Sequence, residues 1–423
     1  MFVSTTDVLN FVKENDVKFI RLSFCDLRGN MKNIAIMAEE LPFAIENGIP
    51  FDAVCFEKTN DERYLLVPDL STMSVLPWRP KTGSVIRFFC NIYKSDGSFY
   101  EADLRKRLKD YVDEIKKTGL KCEIGTKCEF YLFKNNQYGK PEKTPVDNGG
   151  YLDVAPLDQC ENIRREICLS LEEMGINPQS SCHKRGPGQN EIDFMCSDPL
   201  TAADNMMQYK NVVKAIASQS GLYASFMPKP LKNKDGSAFN ISFHVSRDKT
   251  SIFGSSDEKI SEEGEQFMAG VLHYIKEITA FLNPITNSYK RLGTFMAPKY
   301  ADWSDNRTNP ALRLSRTMND NSHLVLRTAD ASCNPYIVIL LLLKAGMKGI
   351  ENKMQIQAQE TKISLPQSLE EAVGYAKSSE LIKETFSQNL LNEIFEHFDS
   401  MIEEYRKAED KDIFEDSKFF YVI

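Results

Sequence analysis

Apolar positions recur along this chain with two different periods, and the period changes near residue 100. Before that point the runs are strand-like. "VKFIRLSFCDLRGNMK" (17–32) and "SVIRFFCNIY" (84–93) are rich in β-branched and aromatic residues. They are bounded by the turn signals "DLRGN" and "SDGS". Between them "LVPDLSTMSVLPWRP" (66–80), with three prolines, reads as extended or looped. From "DLRKRLKDYVDEIKKTG" (103–119) the period becomes helical: Leu104, Leu108, Val112 and Ile115 share one face, and Gly119 stops the helix. The remainder alternates strands ("CEIGTKCEFYLF", "QNEIDF", "YASFMPK") with long helices ("ENIRREICLSLEEMG", "AADNMMQYKNVVKAIASQSG"). This alternation predicts an α+β fold with a substantial sheet. The apolar run "IVILLLL" (337–343) is too short for a membrane span and reads as a buried helix. The ending "FFYVI" reads as docking on the chain's own core, with packing on a neighbouring subunit as the alternative.

Composition narrows the class. The chain has 423 residues, 42% hydrophobic and 26% charged, as in an ordinary globular protein, and its length suits a small domain followed by a large one. A net charge of -8 argues against a sequence-independent grip on nucleic acid, but leaves room for a local basic pocket. Ten scattered cysteines without a CxxC pair point to reduced thiols in a cytoplasmic protein rather than a zinc site or a disulfide framework. The amino terminus turns polar too early for a signal peptide.

The stretch "SSCHKRGPGQNEIDF" (180–194) reads as the wall of a polar pocket, with Lys184 where a cation-binding wall calls for a carboxylate. With "FDAVCF", "CEFYLF", "GYLDVAPLD", "GPGQNEIDF", "FMPKP", "NPITNSYKRL", "DNRTNPALRL" and "CNPYIVILLLLKAGMKGIE" in this order, the chain resembles the glutamine synthetase family from about residue 17 to about residue 351. The resemblance implies an N-terminal β-grasp domain (1–100) and a large glutamine synthetase-type α/β catalytic domain (101–423). It also implies hexameric or dodecameric rings whose sites are shared between neighbours. In that family ATP phosphorylates a glutamate side chain, ammonia displaces the phosphate, and two or three divalent cations hold the phosphates.

Carried over residue by residue, the resemblance places six metal-ligand positions at 127, 129, 184, 191, 240 and 325. Here Glu129 and Glu191 match, while Lys127, Lys184, Asn240 and Val325 do not. The first His of the His-His-Glu pattern is Cys182. Two lysines against two glutamates bring the local charge to zero, and two internal ion pairs are expected in place of metal. A lysine ammonium about 4 Å from a divalent ion costs roughly 8 kcal/mol at an effective dielectric near 20. The flap acid is replaced by Met296. Asp52 of the ammonium loop survives, while Val54 and Cys55 do not match.

The anion-binding side is retained. Arg291, Arg307, Arg313 and Arg327 fall on the family's arginines for substrate carboxylate and phosphate, with five residues rather than four between Arg307 and Arg313. Asp235 and Gly236 match the loop that holds the substrate amino group, and Lys229 lies in "FMPKP". Residual catalytic roles fall on Asp52, Arg291 and Arg307, substrate binding on Asp235, Gly236, Arg291 and Arg327, and phosphate binding on Arg307 and Arg313. Cys55, Cys182, His244 and His323 are expected to be ordinary packed side chains.

Two functions compete. The main expectation is a homologue without glutamate–ammonia ligase activity: a ring assembly that needs no cofactor, binds a small anionic, amino-acid-like ligand, and acts as a regulator or scaffold. The alternative is an active ATP-dependent carboxylate–amine ligase using ATP and Mg²⁺, with an altered substrate or metal requirement. Neither reading calls for nucleic acid or a membrane.

Overall fold

The computed structural model describes residues 4–52, 56, 63–79, 82–255, 259–316, 322–356 and 362–423. Two sheets organise them. The first holds β1 (Val17–Cys25), β2 (Met31–Met37), β3 (Ile49–Asp52), β4 (Arg63–Pro68), β5 (Ser74–Val75) and β6 (Ser84–Lys94). Its order is β2-β1-β6-β4-β3, with β5 also on β6, and only β1–β6 is parallel. The proline-rich stretch expected to be extended or looped thus carries two strands. Pro68 closes β4, where a missing amide donor costs nothing to the ladder.

The second sheet has ten strands: β7 (Leu120–Asn135), β8 (Pro141–Pro145), β9 (Pro178–His183), β10 (Gln189–Phe194), β11 (Leu222–Ser225), β12 (Phe239–Arg247), β13 (Thr250–Ser251), β14 (Trp303–Ser304), β15 (Leu312–Ser315) and β16 (His323–Leu326). The order is β14-β15-β16-β12-β7-β10-β9, with β8 and β11 on β7 and β13 on β12. A small N-terminal domain on the first sheet, followed by a large one of mixed sheet and helices, is the resulting α+β fold.

Strand alternation divides the second sheet into two chemistries. Cys128, Phe130, Ile192, Ile241, Leu324 and Leu326 are buried against helices. The Pro199–Gln219 helix seals this side: Tyr209 donates its hydroxyl to the Cys128 carbonyl at 3.2 Å and meets the Phe130 ring edge-on. The alternate positions, Lys127, Glu129, Glu191, Asp193, Asn240 and Val325, lie on the other face.

The Leu104–Lys117 helix buries the four predicted residues, and Gly119 ends it at φ +81°. The run Ile337–Leu343 lies in the buried Pro335–Glu351 helix, capped by Asn334. That helix crosses the Glu262–Leu282 helix so closely that a Cβ on Gly270 would lie 2.2 Å from the Ala345 carbonyl oxygen. Phe419 and Phe420 are buried, and Phe226 N donates to the Ile423 carbonyl at 3.1 Å, so the ending docks on the chain's own core. Among the described residues no helix is long and apolar enough to cross a membrane.

Candidate active site

Register brings the predicted residues together on the polar face. Glu191 on β10 stands opposite Glu129 on β7, and Asp193 opposite Lys127, which faces Asn240 on its other side. On the next strands Val325 pairs with Ser242 and with Arg313. Cys182 and Ser180 of β9 complete the rows.

Lys184 is the hub. Its ammonium lies 2.9 Å from Glu191 Oε1 and 3.4 Å from Glu129 Oε1, and 5.5 Å from the centre of the Tyr151 ring. Burial works against this charge, but the two carboxylates outweigh it and raise the Lys184 pKa. One ammonium serves two carboxylates, so the cluster is left one positive charge short of balance. Burial, then repulsion from Glu129, pushes Glu191 up to about 7. Glu129 is pinned through Oε2, which accepts from Ala238 N at 2.7 Å and from Gln189 Nε2 at 3.5 Å.

The expected pairing of each lysine with one glutamate is corrected. Lys127 turns to Asp193 Oδ2 at 2.5 Å, where Ser180 Oγ also donates at 2.8 Å. Asp193 is the cross-strand neighbour of Lys127, whereas Glu129 lies two residues along the same strand. Asp193 lies in the pocket wall expected from the sequence but is not expected there as the partner of Lys127, although two residues from Glu191 in a strand means the same face. Asp193 Oδ1 and Asn240 Oδ1 are buried without a hydrogen-bond partner.

Two arginines close the far side. Arg291 is almost fully buried and donates through Nη2 to the Thr328 and Ala329 carbonyls at 2.6 Å each, leaving Nε unpartnered. Arg327 donates through Nη2 to the Met296 carbonyl at 3.3 Å, leaving Nη1 unpartnered. Burial lowers both pKa values; for Arg327 the nearby Arg291 lowers it further, while Glu129 and Glu191 act in the opposite direction. Gly236 fits here because a Cβ would lie 2.6 Å from Arg291 Cγ and 2.6 Å from the Pro228 carbonyl oxygen. Asp235 is held by Tyr131, whose hydroxyl donates to its carbonyl at 2.5 Å, and by Arg185 at 3.6 Å. The Lys229 ammonium lies over the Phe295 ring at 4.2 Å.

Not every predicted residue joins. Arg307 is committed locally, to Asp302 at 2.7 Å and the Trp303 carbonyl at 2.9 Å. Asp52 ends β3, exposed, on the other sheet. Val54 and Cys55 lie outside the described residues. The Cys182 thiol is pushed up by burial and by Glu191, which keeps it protonated and inert. His244 and His323 stack on each other, 4.5 Å between centroids. A divalent ion bridging Glu129 and Glu191 does not fit while the Lys184 ammonium stands between their oxygens.

Residues 16–95 match the family described as glutamine synthetase, beta-Grasp domain, and residues 101–416 match glutamine synthetase, catalytic domain. The chain belongs to the glutamine synthetase family. A glutamine synthetase of Clostridium saccharobutylicum is 40% identical over 405 residues, 91% of each chain. One of Methanosarcina mazei is 39% identical over 413 residues, 93% of this chain and 92% of that one. Two solved structures share the fold. "GmaS/ADP complex-Conformation 1" has a TM-score of 0.86 at 24% identity, covering 98% of this chain and 99% of the other. "CryoEM Plasmodium falciparum glutamine synthetase" has a TM-score of 0.87 at 22% identity, covering 97% and 98%.

These relatives correct the main functional expectation. Loss of ligase activity was inferred from the replaced metal positions together with the replaced flap acid. The relatives at 39–40% identity carry the name of the enzyme over nine-tenths of both chains. A changed ligand position alters what holds charge at one point; it does not remove the anion-binding side.

Proposed function

We propose that the chain is an ATP-dependent carboxylate–amine ligase of the glutamine synthetase type with an altered metal requirement, the Lys184 ammonium standing where an ion would bridge Glu129 and Glu191. The observation that carries this reading is the convergence of Arg291 and Arg327, each with an unspent buried donor, on the face that holds the Glu129–Lys184–Glu191 triad. Phosphoryl transfer asks mainly for positioning and for positive charge around the transferring group. Arginine forks and a fixed ammonium supply both.

In this reading a substrate carboxylate oxygen attacks the γ-phosphorus of ATP and ADP leaves. An amine nitrogen then attacks the acyl carbon, and phosphate leaves. Arg327 and Arg291 neutralise the carboxylate and the phosphoryl oxygens, with Arg313 at the rim. Asp235 and Gly236 line the place of the substrate amino group. The domains are residues 1–100 and 101–423. Asp52 acts from a neighbouring subunit in a hexameric or dodecameric ring, and the location is cytoplasmic.

The test is phosphate release from ATP by the purified protein over a grid of carboxylates (glutamate first) and amines (ammonium first), with Mg²⁺ varied. Amine-dependent release that falls in Arg327→Gln supports the reading. No amine-dependent release with any pair sinks it.

A further inference from the structure

A second cavity, of about 610 Å³, lies away from the carboxylate face, behind the Pro199–Gln219 helix. Its walls are the β1–β2 turn, one face of that helix, the Gln388–Lys407 helix and the last residues of the chain. Met207, Lys210, Asn211 and Lys214 line it at spacings of three and four, the signature of a single helix face. Phe281, Ile285, Ile337, Ile394, Phe398 and Met401 make the opposite side apolar.

Charge inside this cavity is unbalanced. Arg28, Lys210, Lys214 and Lys418 line it, against Glu393 and Glu404. Lys418 and Glu404 pair with each other. Lys210 and Lys214 donate only to neutral carbonyls, of Ala331 at 2.9 Å and Val422 at 2.8 Å. Among the described residues neither has a carboxylate within ion-pair distance. Burial, then repulsion from Lys210, lowers Lys214 to about 8. Burial, then Arg28 and Lys418, drives His397 down to about 4, so the imidazole is neutral in the same positive field. Two partly buried ammonium groups with no counter-charge among the described residues are costly unless an anion joins them. The turn wall is rigid: a Cβ on Gly29 would lie 2.9 Å from Asn334 Cα, and Asn334 Nδ2 donates to the Asp26 carbonyl at 3.2 Å.

We propose that this cavity is a binding site for a small amphipathic organic anion, its acidic head on Lys210 and Lys214 and its apolar body against Ile394, Phe398 and Met401. The site is separate from the carboxylate face and independent of which reaction is run there.

The probe is 8-anilinonaphthalene-1-sulfonate, a rigid aromatic body with one sulfonate, titrated into the full-length protein and followed by fluorescence. Saturable binding is expected, weakened at least tenfold in Lys210→Met and in Lys214→Met, and retained in Lys214→Arg. Octanoate should displace the dye where octanol and inorganic phosphate do not. Ser400→Trp, at the mouth, is expected to abolish binding, and serves if a Met variant does not fold. Binding that survives both Met variants and Ser400→Trp overturns the proposal, as does binding lost in Arg327→Gln. Equal displacement by inorganic phosphate overturns the amphipathic ligand class.

Discussion

His183 and Lys184 are consecutive, yet they belong to clusters of opposite kinds. His183 turns into a latch. Its Nε2 meets Asp147 Oδ1 at 3.0 Å, and Asp147 also accepts from the amides of Gly149, Gly188 and Gln159. Nearby, Arg164 is clamped by Asp158 and donates to Asn190 at 2.6 Å. The oxygens of Asp147 are fully used, Asp147, Asp158 and His183 are buried, and of these side chains and Arg164 only Arg164 Nε lacks a partner. Lys184 turns to the other face, where one ammonium is divided between two glutamates and Asp193 and Asn240 keep unpartnered oxygens. Asn190 and Glu191 repeat the division on β10. A polar cluster that satisfies itself holds the fold together; one left short of donors or charge is where a ligand can bind.

The largest expected effect breaks the open cluster. Lys184→Glu removes an ammonium worth roughly 8 kcal/mol against a divalent ion about 4 Å away at an effective dielectric near 20. Side-chain flexibility halves this to about 4 kcal/mol, near a thousandfold in affinity. Calorimetric titration with MgCl₂ should show at least a hundredfold tighter binding than in the unsubstituted protein. Equal affinity would remove Lys184 from its role as internal cation.

Breaking the latch should instead cost stability. Asp147→Ala strands His183 and three amides, and is expected to lower the unfolding free energy by about 3–5 kcal/mol in urea titration. The pH dependence has a definite sign. Burial pulls the His183 pKa down, but the Asp147 hydrogen bond outweighs it and the folded value is raised. The stabilisation from His183 is therefore full below its unfolded pKa of about 6.5 and is lost as pH rises through the folded value. Asp147 is lowered despite burial, by His183 and the backbone amides, so its share is lost only in acid. In His183→Gln the alkaline loss should vanish. An unchanged slope between pH 6 and pH 9 would contradict it.

The arginine side is next. Arg327→Gln removes the unspent Nη1 donor and should lower kcat/KM for the carboxylate substrate roughly thirtyfold, about 2 kcal/mol, with little change in melting temperature. A melting loss without a kinetic one would make Arg327 a structural residue.

Much of this division was legible from alternation alone. Lys127 with Glu129 on one face, His183 opposed to Lys184, and the helix face at Leu104, Leu108, Val112 and Ile115 all follow from periods of 2 and 3.6. Pairing was not legible, because register depends on how strands from distant parts of the chain align. Hence Asp193 was missed as the partner of Lys127. Nor was it legible that Arg307, expected to meet an anionic ligand, pairs with Asp302 five residues earlier. The latch was missed because Asp147 and His183 lie 36 residues apart with no motif joining them. Asp193, two residues from Glu191, left a signal that could have been read; Asp147 left none.

The smallest effect sharpens the comparison most. Lys127 is 42% exposed while Asp193 is only 8% exposed, so their ion pair is half wet and half dry. A surface pair contributes at most about 1 kcal/mol, but a buried carboxylate stripped of its partner costs several. Ser180 Oγ still donates to Asp193 Oδ2 after Lys127→Met, and water takes the place that the half-exposed ammonium leaves. The wet side should win. Lys127→Met is expected to cost about 1 kcal/mol, and adding Asp193→Asn should return most of it, a coupling near 0.5–1 kcal/mol in a double-mutant cycle by urea unfolding. Coupling above about 2 kcal/mol would mean that this face is as dry as the latch behind it, and the contrast between consecutive residues 183 and 184 would lose its physical basis.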